Sequence, residues 1–166
     1  MGSITIKTRV GLNDFVKVNY YFYYSKLKNK IMTGIGIGMI LLNIFTPGEY
    51  SIISFMQLFF GLYLTVGVPI ITYLSAKKNY NTNARLKETI EYNFDNENII
   101  VTGESFNSKL TWEKVYKITE SKDWVLIWQN KLIANIIPKR DFNIGELETL
   151  KGIVKQHKSI INKLKY

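Results

Sequence analysis

Hydrophobic and polar positions divide the chain into three regimes. From Ile31 to Ala76 the residues are apolar or uncharged for forty-six positions, with Glu49 as the single charge. Lys30 closes one side of this run, and Lys77 and Lys78 close the other. A run of that length exceeds what the core of a small soluble domain can use, and it reads as membrane-spanning. Before it, Ile4, Ile6 and Val10 alternate with Ser3, Thr5, Lys7 and Arg9. That two-residue period predicts a strand over Ile4–Val10, ended by Gly11. After it come short apolar segments separated by turn residues.

Pro47–Gly48 splits the central run into spans over 31–46 and 51–76. The first has 16 residues, or ~24 Å of helix against a hydrocarbon core of ~30 Å. Lys28 and Lys30 can snorkel, so this helix is expected to begin several residues earlier. The second has 26 residues and is expected to kink at Pro69. With so short a turn, the two helices must be antiparallel neighbours. Gly34 and Gly38 form a G-x-x-x-G step on one face, with Gly36 on the other, while Gly61 and Gly67 add small positions to the second helix. The candidate helix-packing face is therefore Gly34 with Gly38, used inside the hairpin or, as the weaker reading, against a second copy of the chain. Asn43 and Gln57 are expected to bond each other. No charged residue or histidine lies well inside either span, so nothing points to a proton relay.

The segment from Asp14 to Lys30 admits two periods. Val16, Val18, Tyr20, Phe22 and Tyr24 alternate as in a strand, whereas Leu12, Phe15, Asn19, Phe22 and Lys26 make a weak helical stripe. The helix is preferred because the segment runs straight into a spanning helix, with Asn13 or Asp14 as its cap. Tyr20 to Tyr24 form an aromatic group beside the span, read as an interfacial belt rather than an aromatic ligand surface. A cleavable signal peptide is not expected, since a second span follows the first.

The third regime begins after a polar linker over Asn79–Asn83. Its segments are Glu88–Phe94, Ile99–Glu104, Ser108–Trp112, Val115–Thr119, Trp124–Gln129 and Leu132–Ile137. Turns are expected at Asp95–Asn98, Ser105–Asn107, Ser121–Asp123 and, tightest, Asn130–Lys131. Six short strands at this spacing predict an antiparallel meander curled into a sandwich or barrel, with Ile4–Val10 as a seventh strand. Pro138 breaks the sheet, and Asn143 with Glu146 reads as a capping box. Leu147, Leu150, Val154, His157, Ile161 and Leu164 then step by three and four along one helix. His157 lies near the edge of that stripe and is read as a structural residue.

The fold class is thus α+β, a membrane protein made of a two-helix transmembrane hairpin and a small antiparallel β-barrel or sandwich capped by a C-terminal helix. Its parts are residues 1–30, the hairpin 31–76, and a cytoplasmic domain 79–166 completed by strand 4–10. Lysine and arginine flank the hairpin on both sides and are absent from its turn, so both termini are expected in the cytoplasm. The formal net charge is +9, which suits an anionic leaflet, while a nucleic-acid binder would need more than positive charge. There is no cysteine and a single histidine, which excludes disulfides, thiolate chemistry and an imidazole metal cluster. Glu88, Glu91, Glu113, Glu120, Asp123 and Asp141 are scattered, and no nucleophile elbow, P-loop or dinucleotide fingerprint is present. Neither an enzyme nor a cofactor is expected.

Two stretches carry a resemblance. Trp112-Glu-Lys-Val115-Tyr-Lys117-Ile118-Thr-Glu120 and Ile137-Pro138-Lys139-Arg140-Asp141-Phe142 resemble the signature segments of the YcxB-like family. The arrangement is similar too: an initial strand, a two-span hairpin, these two segments and a final helix. Val115 stands where the family often has Ile. The resemblance implies a carboxy-terminal domain like bacterial pleckstrin-homology-like domains, seven strands capped by one helix, and it carries over no catalytic residue. Trp112, Val115 and Ile118 are expected in the interior, Pro138 at a strand end, and Phe142 at the start of the helix. Lys114, Lys117, Lys139 and Arg140 are the candidate basic membrane-facing patch, where each cation near an anionic leaflet gains about 1 kcal/mol. By analogy with membrane proteins that carry related domains, the expected role is self-protection against a membrane-active toxin or bacteriocin, with that protein or peptide as partner. The alternative is a scaffold or regulatory subunit of a larger membrane complex.

Overall fold

A computed structural model describes residues 3–45, 51–158 and 160–164. The expected turn at Pro47–Gly48 and the charge of Glu49 lie outside the described residues. The chain divides into an α/β unit, residues 1–11 with 83–166, and a helical unit, residues 12–82. The helical unit is thus inserted, in chain order, between the first strand and the rest of its sheet.

In the α/β unit, β1 (Ile4–Thr8) pairs antiparallel with β2 (Ile90–Phe94), Ile6 standing opposite Tyr92. Next come β3 (Asn98–Thr102) and β4 (Asn107–Thr111), giving a sheet ordered β1-β2-β3-β4. The second sheet holds β5 (Lys117–Glu120), β6 (Trp124–Trp128), β7 (Ala134–Pro138) and β8 (Ile161–Lys163), ordered β7-β6-β5-β8. All six segments read from the alternation contain strands. Asp95 Oδ1 accepts from the backbone N–H of Glu97 and Asn98 at 2.7 and 2.6 Å, which closes the β2–β3 turn. The β6–β7 connection is wider than the expected Asn130–Lys131 turn. Gln129 N–H bonds Ile133 O, and Asn130 Oδ1 accepts from Leu132 and Ile133.

One core joins the two sheets and α5 (Glu146–Gln156). Ile6, Tyr92, Phe94 and Ile99 come from the first sheet, and Ile118, Val125, Ile127 and Ile137 from the second. Trp112 and Val115, between β4 and β5, and Leu150 of α5 complete it. Trp112 anchors its indole by donating to Asp95 O at 2.8 Å. Phe142 packs against the same core from just before α5. Glu146 accepts from the Asn143 N–H at 2.8 Å, but Gly145 caps the helix without a side-chain bond, so the expected Asn143–Glu146 capping box is only half made.

The terminal helix is shorter than its stripe. It ends at Gln156, His157 caps it, and Ile161–Lys163 runs parallel to β5 instead. Ile160 and Leu164 remain buried because they flank β8, not because they continue a helix. The unpaired edge of β5 takes β8 as a ladder partner, which satisfies backbone groups a longer helix would leave open. His157 is half-buried and stacks on Trp112, ring centroids 4.9 Å apart.

In the helical unit the stretch after Leu12 is helical, as α1 (Leu12–Tyr24), and α2 (Leu27–Phe45) follows a break at Ser25–Lys26. Asn13 and Asp14 lie inside the first turn of α1 instead of capping it. Ser25 Oγ and Asn29 Nδ2 donate to the carbonyls of Phe22 and Tyr23 at 2.9 and 2.7 Å, closing its end. A continuous helix of 31 residues, Ile52–Thr82, comes next. It comprises α3 (Ile52–Leu62), a π-helical turn over Tyr63–Gly67 and α4 (Val68–Thr82). The wide turn precedes Pro69, whose ring would clash with the carbonyl four residues back in a regular helix. Helix also replaces the expected linker as far as Thr82. Among the described residues this is the one helix long and apolar enough to cross a membrane, and most of its apolar window is exposed. Lys28 and Lys30 sit at the start of α2 and leave Ile31–Phe45 as its uncharged part.

Candidate functional site

The two faces of β5 carry different electrostatics because its side chains alternate. Ile118 and Glu120 share the face toward α5. Glu120 is almost fully buried, and its carboxylate is bracketed by Lys139 and by Lys151 of α5, the latter at 3.5 Å. Lys151 is also buried and reaches Glu148 at 3.0 Å. The Glu148 hydrogen bond, with the charges of Glu120 and Glu148, holds the Lys151 ammonium above the ordinary lysine range despite burial.

Lys117 and Thr119 point to the opposite face. The Lys117 ammonium lies 4.5 Å from the centre of the Trp128 ring, and Trp128 donates its indole N–H to Thr119 Oγ1 at 2.9 Å. Register places Lys163 of β8 beside Thr119 and Ile161 beside Lys117, so the two lysines are diagonal neighbours on one face. Burial pushes Lys117 below the ordinary lysine value, and the charge of Lys163 pushes it further the same way.

The four residues of the expected basic patch therefore do not form one surface. Lys139 follows β7 and is neutralised by Glu120; Arg140 is exposed and sits 3.6 Å from Asp141. Lys117 stands at the start of β5, opposite Trp128, whereas Lys139 follows Pro138, opposite Trp124 at the other end of β6. Lys114 is exposed in the short 3-10 turn after β4. Lys163, which the sequence placed on a helix, is the cation that joins Lys117. The signal that could have found it is the pair Ile160 and Leu164, whose spacing also fits two anchors flanking an extended segment.

A second carboxylate is held at the β3–β4 turn. Glu88 accepts from the Ser105 hydroxyl at 2.6 Å and from the Ser105 N–H at 3.0 Å. These bonds, the hydroxyl first, hold it below the ordinary glutamate value. A Cβ on Gly103 would stand 2.6 Å from Glu88 Oε2 and 2.4 Å from the Phe106 ring, so a side chain there would have to displace both. Burial pushes the Tyr92 hydroxyl up.

In the helical unit the close crossing of α2 and α3 falls on Gly36 and Gly61, not on Gly34 and Gly38. A Cβ on Gly36 would meet Leu64 Cβ at 2.8 Å, whereas one on Gly34 or Gly38 would meet nothing within 4 Å. The glycine whose face turns to α3 is therefore the one between the G-x-x-x-G pair. Asn43 and Gln57 do not bond each other. Asn43 donates to Ser54 O at 2.8 Å and Gln57 to Met39 O at 3.5 Å, each spanning the antiparallel pair. Tyr20 donates to Pro69 O at 2.8 Å, tying α1 to α4. An open apolar cleft lies along α2 and α3, lined by Met39, Ile53, Met56, Phe59 and Phe60 with Gln57.

The molecule thus joins an α/β unit, built on two four-stranded sheets and one helix, to a helical unit with an exposed apolar surface. Residues 94–154 match the family described as YcxB-like protein, and the chain carries a YcxB-like domain there. The match runs from the end of β2 through most of α5, so it covers the two signature segments but neither β1 nor the helical unit. In comparisons with curated proteins and with solved structures, nothing matches the chain.

Proposed function

We propose that this chain is a two-pass membrane protein whose α/β unit is a pleckstrin-homology-like binding module held at the cytoplasmic face. The observation that carries the reading is the exposure of large apolar side chains on both long helices. Phe45 is 76% exposed, Ile52 80% and Phe59 74%, while the α/β unit keeps a closed core of its own. Exposed apolar surface on that scale is costly in water and neutral in lipid. Supporting the module reading, β1–β4 with β5–β7 make four plus three antiparallel strands before a helix, the plan that the YcxB-like resemblance implies. β8 is an addition to that plan. Single cysteines at Glu49 and after Leu164 test the topology with a membrane-impermeant thiol reagent in whole cells. Labelling at 49 alone is expected, and labelling of the terminal site before lysis would overturn it.

As the role of the module we propose self-protection, in which it engages a membrane-active toxin or limits its access to the bilayer. Expression in a sensitive strain, challenged with membrane-active bacteriocins, should reduce killing; unchanged killing sinks that role. One observation favours the scaffold reading instead. A Cβ on Gly34 or Gly38 would meet nothing within 4 Å among the described residues, which suits that face to meeting another chain in lipid. Purification in mild detergent with and without Gly38→Leu separates the two, since a constitutive partner should be lost with the substitution.

A further inference from the structure

The charges on the outer face of β5 and β8 are left with a positive balance among the described residues. Glu120, the carboxylate of β5, is on the other face and already meets two lysines. Among the described residues neither Lys117 nor Lys163 has a carboxylate within ion-pair reach. Lys117 is half-buried, with its ammonium 4.5 Å from the centre of the Trp128 ring, which favours this position. Lys163 is exposed beside it. Thr119, between them and 8% exposed, uses its oxygen to accept from Trp128. A hydroxyl that accepts still has a proton to give, and among the described residues nothing takes it.

We propose that Lys117, Lys163 and the Thr119 hydroxyl form a binding site for a phosphate group, spanning the β5–β8 rung. Two ammonium point charges and one O–H donor on a single face suit a compact anion with several acceptor oxygens. A carboxylate can bridge two lysines, as Glu120 does on the other face, but a phosphate has the further oxygen to meet both lysines and the hydroxyl together. The indole of Trp128 forms one wall and keeps Lys117 in place through its ring face. The phosphate can come from a lipid headgroup or from a soluble phosphate compound. The site lies wholly within the α/β unit, so it goes beyond the membrane reading and only the lipid source depends on it. Because Lys163 belongs to β8, the bound phosphate would also fasten the terminal strand to β5.

The experiment uses the full chain in detergent and in nanodiscs. In detergent, inorganic phosphate is titrated at constant ionic strength against chloride, and thermal unfolding is followed. In nanodiscs, acylation of Lys117 and Lys163 is followed by peptide mass mapping, with phosphatidylglycerol compared against phosphatidylcholine alone. A soluble source raises the melting temperature with phosphate, and a lipid source protects both lysines only in the anionic nanodiscs. Either effect should weaken about fivefold in apparent affinity for each of Lys117→Gln and Lys163→Gln, at ~1 kcal/mol per cation, and persist in Lys131→Gln. Should a glutamine variant fail to fold, Lys117→Arg keeps the charge and should keep binding. No phosphate shift together with no anionic-lipid protection overturns the site, as does a response in the Lys117→Gln and Lys163→Gln variants unchanged from the parent. Failure of the topology labelling with a positive phosphate titration would overturn the membrane reading and leave the site standing.

Discussion

Gly36 and Gly61 face each other across the α2–α3 crossing, closely enough that a Cβ on Gly61 would stand 2.9 Å from Gly36 O. A Cβ on Gly36 would in turn stand 3.1 Å from Gly61 O. Both obstacles include backbone, which cannot rotate out of the way as a flexible side chain would. The two glycines therefore set how near the helices come, and the polar contacts of Asn43 and Gln57 depend on that distance.

Gly36→Leu should force the pair apart and lower stability by about 1–3 kcal/mol, the usual cost of overpacking. Gly38→Leu should leave the isolated hairpin close to unchanged, because its Cβ has open space. Thermal unfolding of the two variants in the same detergent compares them directly. Equal losses would show that the crossing does not rest on Gly36.

Much of the α/β unit was legible in the sequence because its signals are local. Alternation in Ile4–Val10 located β1, and the polar turns separated β2 to β7. What failed was anything decided by distant pairing. The stripe from Leu147 to Leu164 fits a helix throughout, yet β5 had a free edge and took Ile161–Lys163 into a ladder. The basic patch failed for the same kind of reason. Lys139 looks like an exposed cation until Glu120 is placed beside it, and a separation of 19 positions in sequence hides that pairing. The G-x-x-x-G step named the right helix but the wrong face, since spacing alone does not orient a helix against its neighbour.

The terminal strand gives a direct test of that difference. Backbone chemical shifts of Ile161, Asn162 and Lys163 should be those of extended chain, and their ladder amides should exchange slowly. Leu164→Ala should cost about 2 kcal/mol, as removal of a core side chain does, because Leu164 is 8% exposed and packs in the core. Helical shifts through Leu164 would show that α5 continues.

Glu88 should impose an acid limit on the α/β unit. Ser105 bonds lower its pKa from the ordinary 4.5, so its stabilisation is complete above that value. It is lost as pH falls through the lower folded value. Glu88→Gln should be less stable than the parent near neutral pH and should show a shallower acid decline. Ser105→Ala should weaken the same dependence, and Gly103→Ala should disturb it sterically by crowding the carboxylate. Melting temperatures from neutral pH to below 4.5 measure this, and parallel curves for parent and Glu88→Gln would remove Glu88 from the account.

The Glu120 cluster should behave oppositely with pH and unequally with mutation. Lys151 is raised above its ordinary 10.5, mainly through Glu148. Its contribution is therefore full below 10.5 and fades only as pH rises through the folded value. The gap between the parent and Lys151→Met should therefore be open in neutral melts and close in alkaline ones. Mutation is harsher on the carboxylate than on either cation. Glu120→Leu takes the buried carboxylate from Lys151, leaving the exposed Glu148 beside it, and should cost roughly 3 kcal/mol, within reach of a buried pair broken on one side. Lys151→Met should cost less, because Lys139 still neutralises Glu120. The double variant Glu120→Leu with Lys151→Met should recover part of the loss, since no unpaired buried charge then remains on that side. A double variant as unstable as the sum of the singles would show that Glu120 and Lys151 act independently.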